Sequence, residues 1–181
     1  MTGGRPGVFL DRDGTIIEDV SYIARPEDVK LIPGVADAIA RLNNAGHPVI
    51  VISNQSGIGR GFYSLKDFEL VQAQMLDLLA RNDAHIDGVY ICPHVPEREC
   101  ECRKPGTLLY RRAIEEHGLD PANSWYVGDR WRDLAAAEML GGNGILVPSL
   151  QTSEDEREIA AQRATLMTSL GEAVEHILAA A

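Results

Sequence analysis

The chain has 181 residues, 45% of them hydrophobic and 24% charged, the ordinary range for one globular domain with its own core. Its 17 basic residues against 27 acidic ones give a net charge of −10, which excludes the basic stripe that nucleic acid or an anionic membrane requires. An anionic small molecule must instead be met by a few local cations or a metal.

The first seven residues lack the apolar core of a signal peptide, and no apolar run approaches the roughly 18 residues of a membrane span. The three cysteines crowd between residues 92 and 102, which is no disulfide framework. The expectation is a cytoplasmic, monomeric protein.

Val8-Phe9-Leu10 reads as a short buried strand running into Asp11-Arg12-Asp13-Gly14-Thr15. In an extended chain residues two apart face the same side, roughly 6–7 Å from one another. Asp11 and Asp13 are therefore expected to point together off the strand end, with Arg12 pointing away. Two such carboxylates repel. Either a cation sits between them, making half a magnesium site, or one keeps a proton, making a nucleophile beside a general acid. The plain alternative is a strand-end turn.

Residues 16–31 show no clean period and read as a flap. A helix follows Pro33-Gly34, with Val35, Ala38, Ile39 and Leu42 on one face and Gly46 as its stop. Residues 49–52 form a second buried strand, which ends at Ser53-Asn54-Gln55-Ser56-Gly57 and continues as a loop to Phe62. Ser64 caps a helix running to about Arg81. Residues 89–91 are a third strand leading into the cysteine loop, and residues 108–117 a helix stopped by Gly118. Residues 125–127 are a fourth strand ending at Gly128-Asp129, followed by a helix over 132–140. Residues 144–147 are a fifth strand, 151–157 a polar loop, and 170–180 a final helix.

Strands alternating with helices predict an α/β fold, a Rossmann-like three-layer sandwich on a mainly parallel sheet. One domain over 1–181 accounts for the chain, and no segment is long enough for a large cap domain. In such sheets ligands bind beyond the carboxyl ends of the strands. The polar clusters Asp11/Asp13, Ser53/Asn54/Gln55 and Asp129 fall at those ends. Arg103-Lys104 follows the third strand, where a lysine neutralises an attacking carboxylate and phosphoryl charge as a compact cation. Taken singly, these residues would also serve as a turn serine, a solvated basic pair and a helix cap.

Cys92, His94, Cys100 and Cys102 make a Cys₃His set suited to structural zinc, with no open coordination position. The zinc loop at 92–102 would brace the segment that delivers Arg103 and Lys104. His47, His85, His117 and His176 are scattered and carry no such pattern.

The order of these motifs resembles the haloacid dehalogenase superfamily of phosphotransferases. Asp11-Arg12-Asp13-Gly14-Thr15 matches its first motif, Ser53 the second, Lys104 the third, and Gly128-Asp129 with Asp133 the fourth. The resemblance implies a magnesium-dependent phosphatase in which Asp11 attacks phosphorus and forms an aspartyl-phosphate, while Asp13 serves as general acid and then base. Ser53 and Lys104 would hold the phosphoryl group. Asp11, the Asp13 carbonyl and Asp129 would ligate Mg²⁺, with Asp133 orienting from behind.

The zinc loop narrows the resemblance to the branch holding heptose 1,7-bisphosphate phosphatases and histidinol-phosphate phosphatases. Asp19-Val20-Ser21-Tyr22, Asn54 to Gly61 and Cys102-Arg103-Lys104-Pro105 look more like the heptose enzymes. Val20-Ser21, Ser53 and Arg130 depart from the commonest residues of that branch. The implied substrate is a small phosphorylated sugar, contacted by Asp19, Tyr22, Asn54, Gln55, Ser56, Arg60, Arg103 and Arg130. Arg60, Arg103 and Arg130 are the expected holders of a second phosphate or of sugar hydroxyls. A phospho-acceptor receiver domain and a non-catalytic zinc-bearing interaction module are the rival classes.

Overall fold

Alternate residues of each central strand serve opposite faces of one sheet. Val8 and Leu10 join one core while Phe9 joins the other, and Val49 and Val51 separate in the same way from Ile50 and Ile52. A strand apolar on both sides must be covered on both sides. The computed structural model, which describes residues 4–180, shows that arrangement.

Six strands run parallel throughout, in the order β3-β2-β1-β4-β5-β6. They are β1 (Val8–Leu10), β2 (Val49–Asn54), β3 (Gly88–Cys92), β4 (Trp125–Gly128), β5 (Asn143–Leu146) and β6 (Thr165–Leu166). Helices α1 (Val35–Asn44), α3 (Leu65–Ala80) and α7 (Leu170–Ala179) pack on one face, through Ile39, Leu42, Val71, Met75, Val174 and Ile177. Helices α4 (Leu108–His117) and α5 (Trp131–Leu140) cover the other, where Phe9 stacks on Tyr126 and meets Tyr110 edge-on. Short helix α2 (Ser56–Gly59) follows β2, and α6 (Glu154–Arg163) lies near β5 and β6. The chain is thus the expected α/β sandwich, and the sheet is wholly parallel.

Two expectations are corrected. Residues 151–157 are not a polar loop, because α6 begins at Glu154 and β6 follows it. Apart from Ala160, α6 presents little to the interior, so apolar periodicity cannot reveal it. Its signal was the reciprocal cap, Ser153 accepting from the Glu156 N–H while Glu156 accepts from the Ser153 N–H. The loop after β2 contains the four-residue turn of α2 for a similar reason, being too short to show a period.

β1 is central, so its carboxyl end opens between β2 and β4 at the point where strand order reverses. The flap over residues 16–31, between β1 and α1, is pinned by pairing of Ile17 with Leu31.

Candidate active site

Asp11 leaves β1 beneath a cleft of about 310 Å³ lined by the flap, the α2 turn, the loop between β3 and α4, and the start of α5. Lys104 reaches it from the loop between β3 and α4. Its ammonium donates to Asp11 Oδ1 at 2.6 Å and to the Ile52 carbonyl at 2.7 Å, and stands 2.7 Å from Asp133 Oδ1. The lysine side chain is 1% exposed. Asn54 fixes the lysine backbone, accepting from its N–H at 2.9 Å and donating to its carbonyl at 3.2 Å.

Carboxylate oxygens of Asp11, Asp129 and Asp133 lie within 4.8 Å of one another. Burial drives the Asp11 carboxyl up to about 8, against the pull of Lys104, and its three acidic neighbours add to the rise. Asp129 is pushed up to about 6 by burial and then by Asp133, with the Ser149 hydroxyl opposing. Burial alone would neutralise Lys104, but Asp11 and Asp133 outweigh it and hold the ammonium charged. One buried cation thus faces three buried acids. The excess negative charge and the all-oxygen donor set suit a hard divalent ion.

Asp13 does not share this cluster in the way the strand geometry suggested. Its carboxylate turns toward Arg12, which donates to both oxygens at 2.9 and 3.1 Å. Gln55 Nε2 donates to the same group at 2.8 Å and Ser53 Oγ lies 3.4 Å away. Nor does Arg12 point out to solvent. It is buried 5.0 Å over the Phe68 ring, with Nε and Nη2 bound by Asp13 and Gln55 and Nη1 without a partner among the described residues. Ser53 and Gln55 are joined at 2.7 Å, and Tyr63 donates to Gln55 Oε1 at 2.6 Å, so Gln55 is a scaffold for Asp13.

Asp133 stands with Oδ1 2.7 Å from the Lys104 ammonium and accepts from the Arg130 N–H at 3.0 Å through Oδ2. Asp129 is held from two sides that sequence reasoning missed. Ser149 donates to its carboxylate at 2.5 Å and Thr152 to its backbone carbonyl at 2.6 Å. Both lie beyond β5, with no motif to mark them. Gly14 is required where it stands, since its φ is +85° and a Cβ would fall 2.5 Å from Asp129 Oδ2.

The expected substrate contacts Asp19, Tyr22, Asn54, Gln55, Ser56, Arg60, Arg103 and Arg130 all line the cleft. Two of the arginines are already engaged, Arg60 with Glu97 at 3.2 Å and Arg130 with Glu156 at 2.8 Å. Arg132, not foreseen, lines it as well. At the flap tip Ser21 and Tyr22 hold φ of +55° and +59°, and Tyr22 packs edge-on against Phe62.

Beside the cleft, the ligand atoms of Cys92, His94, Cys100 and Cys102 converge within 4.8 Å. Separations are 3.1–3.7 Å, with His94 presenting Nδ1. A tetrahedron with Zn–S near 2.3 Å has edges of about 3.7 Å, so the set is close to zinc dimensions. Burial pushes the Cys92 thiol up to about 12, while hydrogen bonds led by His94 outweigh burial and bring Cys100 down to about 7. Arg103 and Lys104 follow directly, and Arg103 Nη1 donates to the His94 carbonyl at 3.2 Å.

An acid leaving the central strand, a hydroxyl at the end of β2, a lysine after β3 and a second acid after β4 define a haloacid dehalogenase-type hydrolase. The family model described as HAD-hydrolase-like matches residues 101–173. A D-glycero-beta-D-manno-heptose-1,7-bisphosphate 7-phosphatase of Haemophilus ducreyi is 39% identical, over 76% of this chain and 80% of that protein. One from Escherichia coli is 38% identical over 89% of each. The crystal structure of a D,D-heptose 1,7-bisphosphate phosphatase from B. bronchiseptica, complexed with magnesium and phosphate, superposes with a TM-score of 0.86 at 31% identity, covering 97% of this chain and 99% of that one. The chain belongs to the family of D-glycero-D-manno-heptose 1,7-bisphosphate 7-phosphatases.

Proposed function

We propose that this protein is a magnesium-dependent phosphatase that removes the 7-phosphate of D-glycero-D-manno-heptose 1,7-bisphosphate, in the making of nucleotide-activated heptose. The observation that carries the reading is Asp11 at the cleft floor, 2.6 Å from a buried lysine and grouped with Asp129 and Asp133. The relatives named above act on that heptose bisphosphate, and none of them is named for histidinol phosphate. A binding module without catalysis has no use for so costly a concentration of buried charge.

Asp11, Asp129 and the backbone carbonyl of Asp13 would hold Mg²⁺, with Asp133 keeping Lys104 and the α5 terminus in place. When bound, the ion supplies the positive charge that lets Asp11 stay ionised and stabilises the phosphoryl oxygens. Asp11 attacks phosphorus in line, and the sugar oxygen departs with a proton from Asp13. An acyl phosphate is left on Asp11. Asp13 then takes a proton from the water that attacks that phosphorus, and phosphate leaves. Arg12 and Gln55 keep Asp13 aimed through both steps. Ser53 and Lys104 hold the transferring oxygens. Zinc in the Cys92, His94, Cys100, Cys102 set would brace the loop carrying Arg103 and Lys104. We take the protein to be a single-domain, cytoplasmic monomer; among the described residues no helix is long and apolar enough to cross a membrane.

The test is phosphate release from heptose 1,7-bisphosphate and from histidinol phosphate, with and without chelator, for the native protein and Asp11→Asn. The expected result is magnesium-dependent turnover of the sugar, lost in the variant. Full rate under chelation, or preference for the amino alcohol ester, would overturn the assignment.

A further inference from the structure

The loop between β5 and α6 reverses the usual placing of apolar and polar groups. Leu150 is fully exposed, while the hydroxyls that flank it, those of Ser149 and Thr152, turn inward and both reach Asp129. Burial of apolar surface is therefore not what fastens this loop. Strand pairing brings it there. Gly128 lies beside Leu146 and accepts from the Val147 N–H at 2.9 Å, so the chain leaving β5 runs alongside the chain leaving β4.

Each hydroxyl carries a single proton, and the neighbouring N–H groups decide where it goes. Ser149 Oγ accepts from the Gln151 N–H at 3.0 Å and donates to Asp129 Oδ2 at 2.5 Å. Thr152 Oγ1 accepts from the Ser149 N–H at 2.8 Å and donates to the Asp129 carbonyl at 2.6 Å. One residue is thus gripped at both side chain and main chain. Further along, Glu156 accepts from the Trp131 N–H at 3.1 Å and from Arg130 Nε at 2.8 and 3.0 Å, so three consecutive residues after β4 are held by the segment that follows β5.

Asp129 lines the cleft, and among the described residues its Oδ1 accepts no hydrogen bond from the protein. A carboxylate whose oxygen lies within 4.8 Å of two other acids relieves repulsion by rotating its side chain away. The charge-assisted bond from Ser149 opposes that rotation before any ion arrives. We infer that Ser149 is a positioning residue for the divalent ion, acting through the Asp129 carboxylate, with Thr152 fixing the loop that presents it. The inference rests on the magnesium reading proposed above. Removing a group that hydrogen-bonds a metal ligand typically costs about 10–100-fold in metal affinity.

The experiment measures the magnesium Kd by calorimetry, and the melting temperature in chelator and in millimolar magnesium, for the native protein, Ser149→Ala and Ser149→Thr. Ser149→Ala should weaken the Kd about 10–100-fold and shrink the rise in melting temperature that magnesium gives. A hydroxyl that merely fastened the loop would lower the melting temperature equally with and without the ion. Ser149→Thr keeps the hydroxyl and should bind magnesium as the native protein does. An unchanged Kd in Ser149→Ala, or a loss that Ser149→Thr shares in full, overturns the positioning role and leaves the magnesium reading standing. A native protein that binds no magnesium overturns both.

Discussion

Replacing Lys104 with methionine keeps the length of the side chain and removes its charge, isolating what one buried cation does among three acids. Oxygens of Asp11, Asp129 and Asp133 lie within 4.8 Å of one another. At an effective dielectric constant near 20, two unit charges at that distance repel by about 3.5 kcal/mol. The lysine offsets this from 2.6 Å to Asp11 and 2.7 Å to Asp133. Removing one partner from a buried ion pair generally costs about 3–5 kcal/mol. For a domain of this size that amounts to a fall in melting temperature of roughly 6–20 °C.

The sign with pH follows from the raised carboxyls. Asp11, pushed up to about 8, and Asp129, up to about 6, bind protons more tightly folded than unfolded. Their favourable contribution is present at low pH and is lost as pH rises through those values. Lys104→Met should therefore destabilise most at pH 7.5 in chelator, and less at pH 5.5 or in millimolar magnesium. Urea unfolding under the four conditions reads the effect, and kcat should fall by about 10²–10³, as when one stabilising donor is removed. A loss of stability equal at both pH values and indifferent to magnesium would refute the electrostatic reasoning and leave only packing.

Two further outcomes concern metals. Protons and magnesium compete for Asp129, so the apparent magnesium Kd, measured by calorimetry, should weaken by up to about tenfold per pH unit below 6; a flat Kd from pH 5 to 7.5 contradicts this. Purified protein should carry one zinc per chain by elemental mass spectrometry, and Cys102→Ala should lose it, lowering both melting temperature and kcat because Lys104 lies two residues on. A zinc-free protein with native rate and stability would refute the bracing role.

Much of the fold was open to reading because burial on two faces leaves a plain mark. Runs such as Val49-Ile50-Val51-Ile52 have few other uses, and the α1 face of Val35, Ala38, Ile39 and Leu42 repeats at helical spacing. Helix α6 escaped because it buries little beyond Ala160. At the site, Asp11, Lys104, Asp129 and the zinc set stood out by their place after strands. Ser149, Thr152, Tyr63 and Glu156 did not, since each acts by reaching a group distant in sequence.

The order of apolar runs and strand-end polar residues by itself determined the parallel sandwich and the chemical types gathered at one end of it, because backbone periodicity and chain direction are local properties. Side-chain partnership is not local. Only the folded chain decided that Asp13 turns to Arg12 and Gln55, that Asp133 shares Lys104 with Asp11, and that Glu97 meets Arg60 and Glu156 meets Arg130. Those choices depend on which charges burial brings within a few ångströms, where desolvation makes every pairing count.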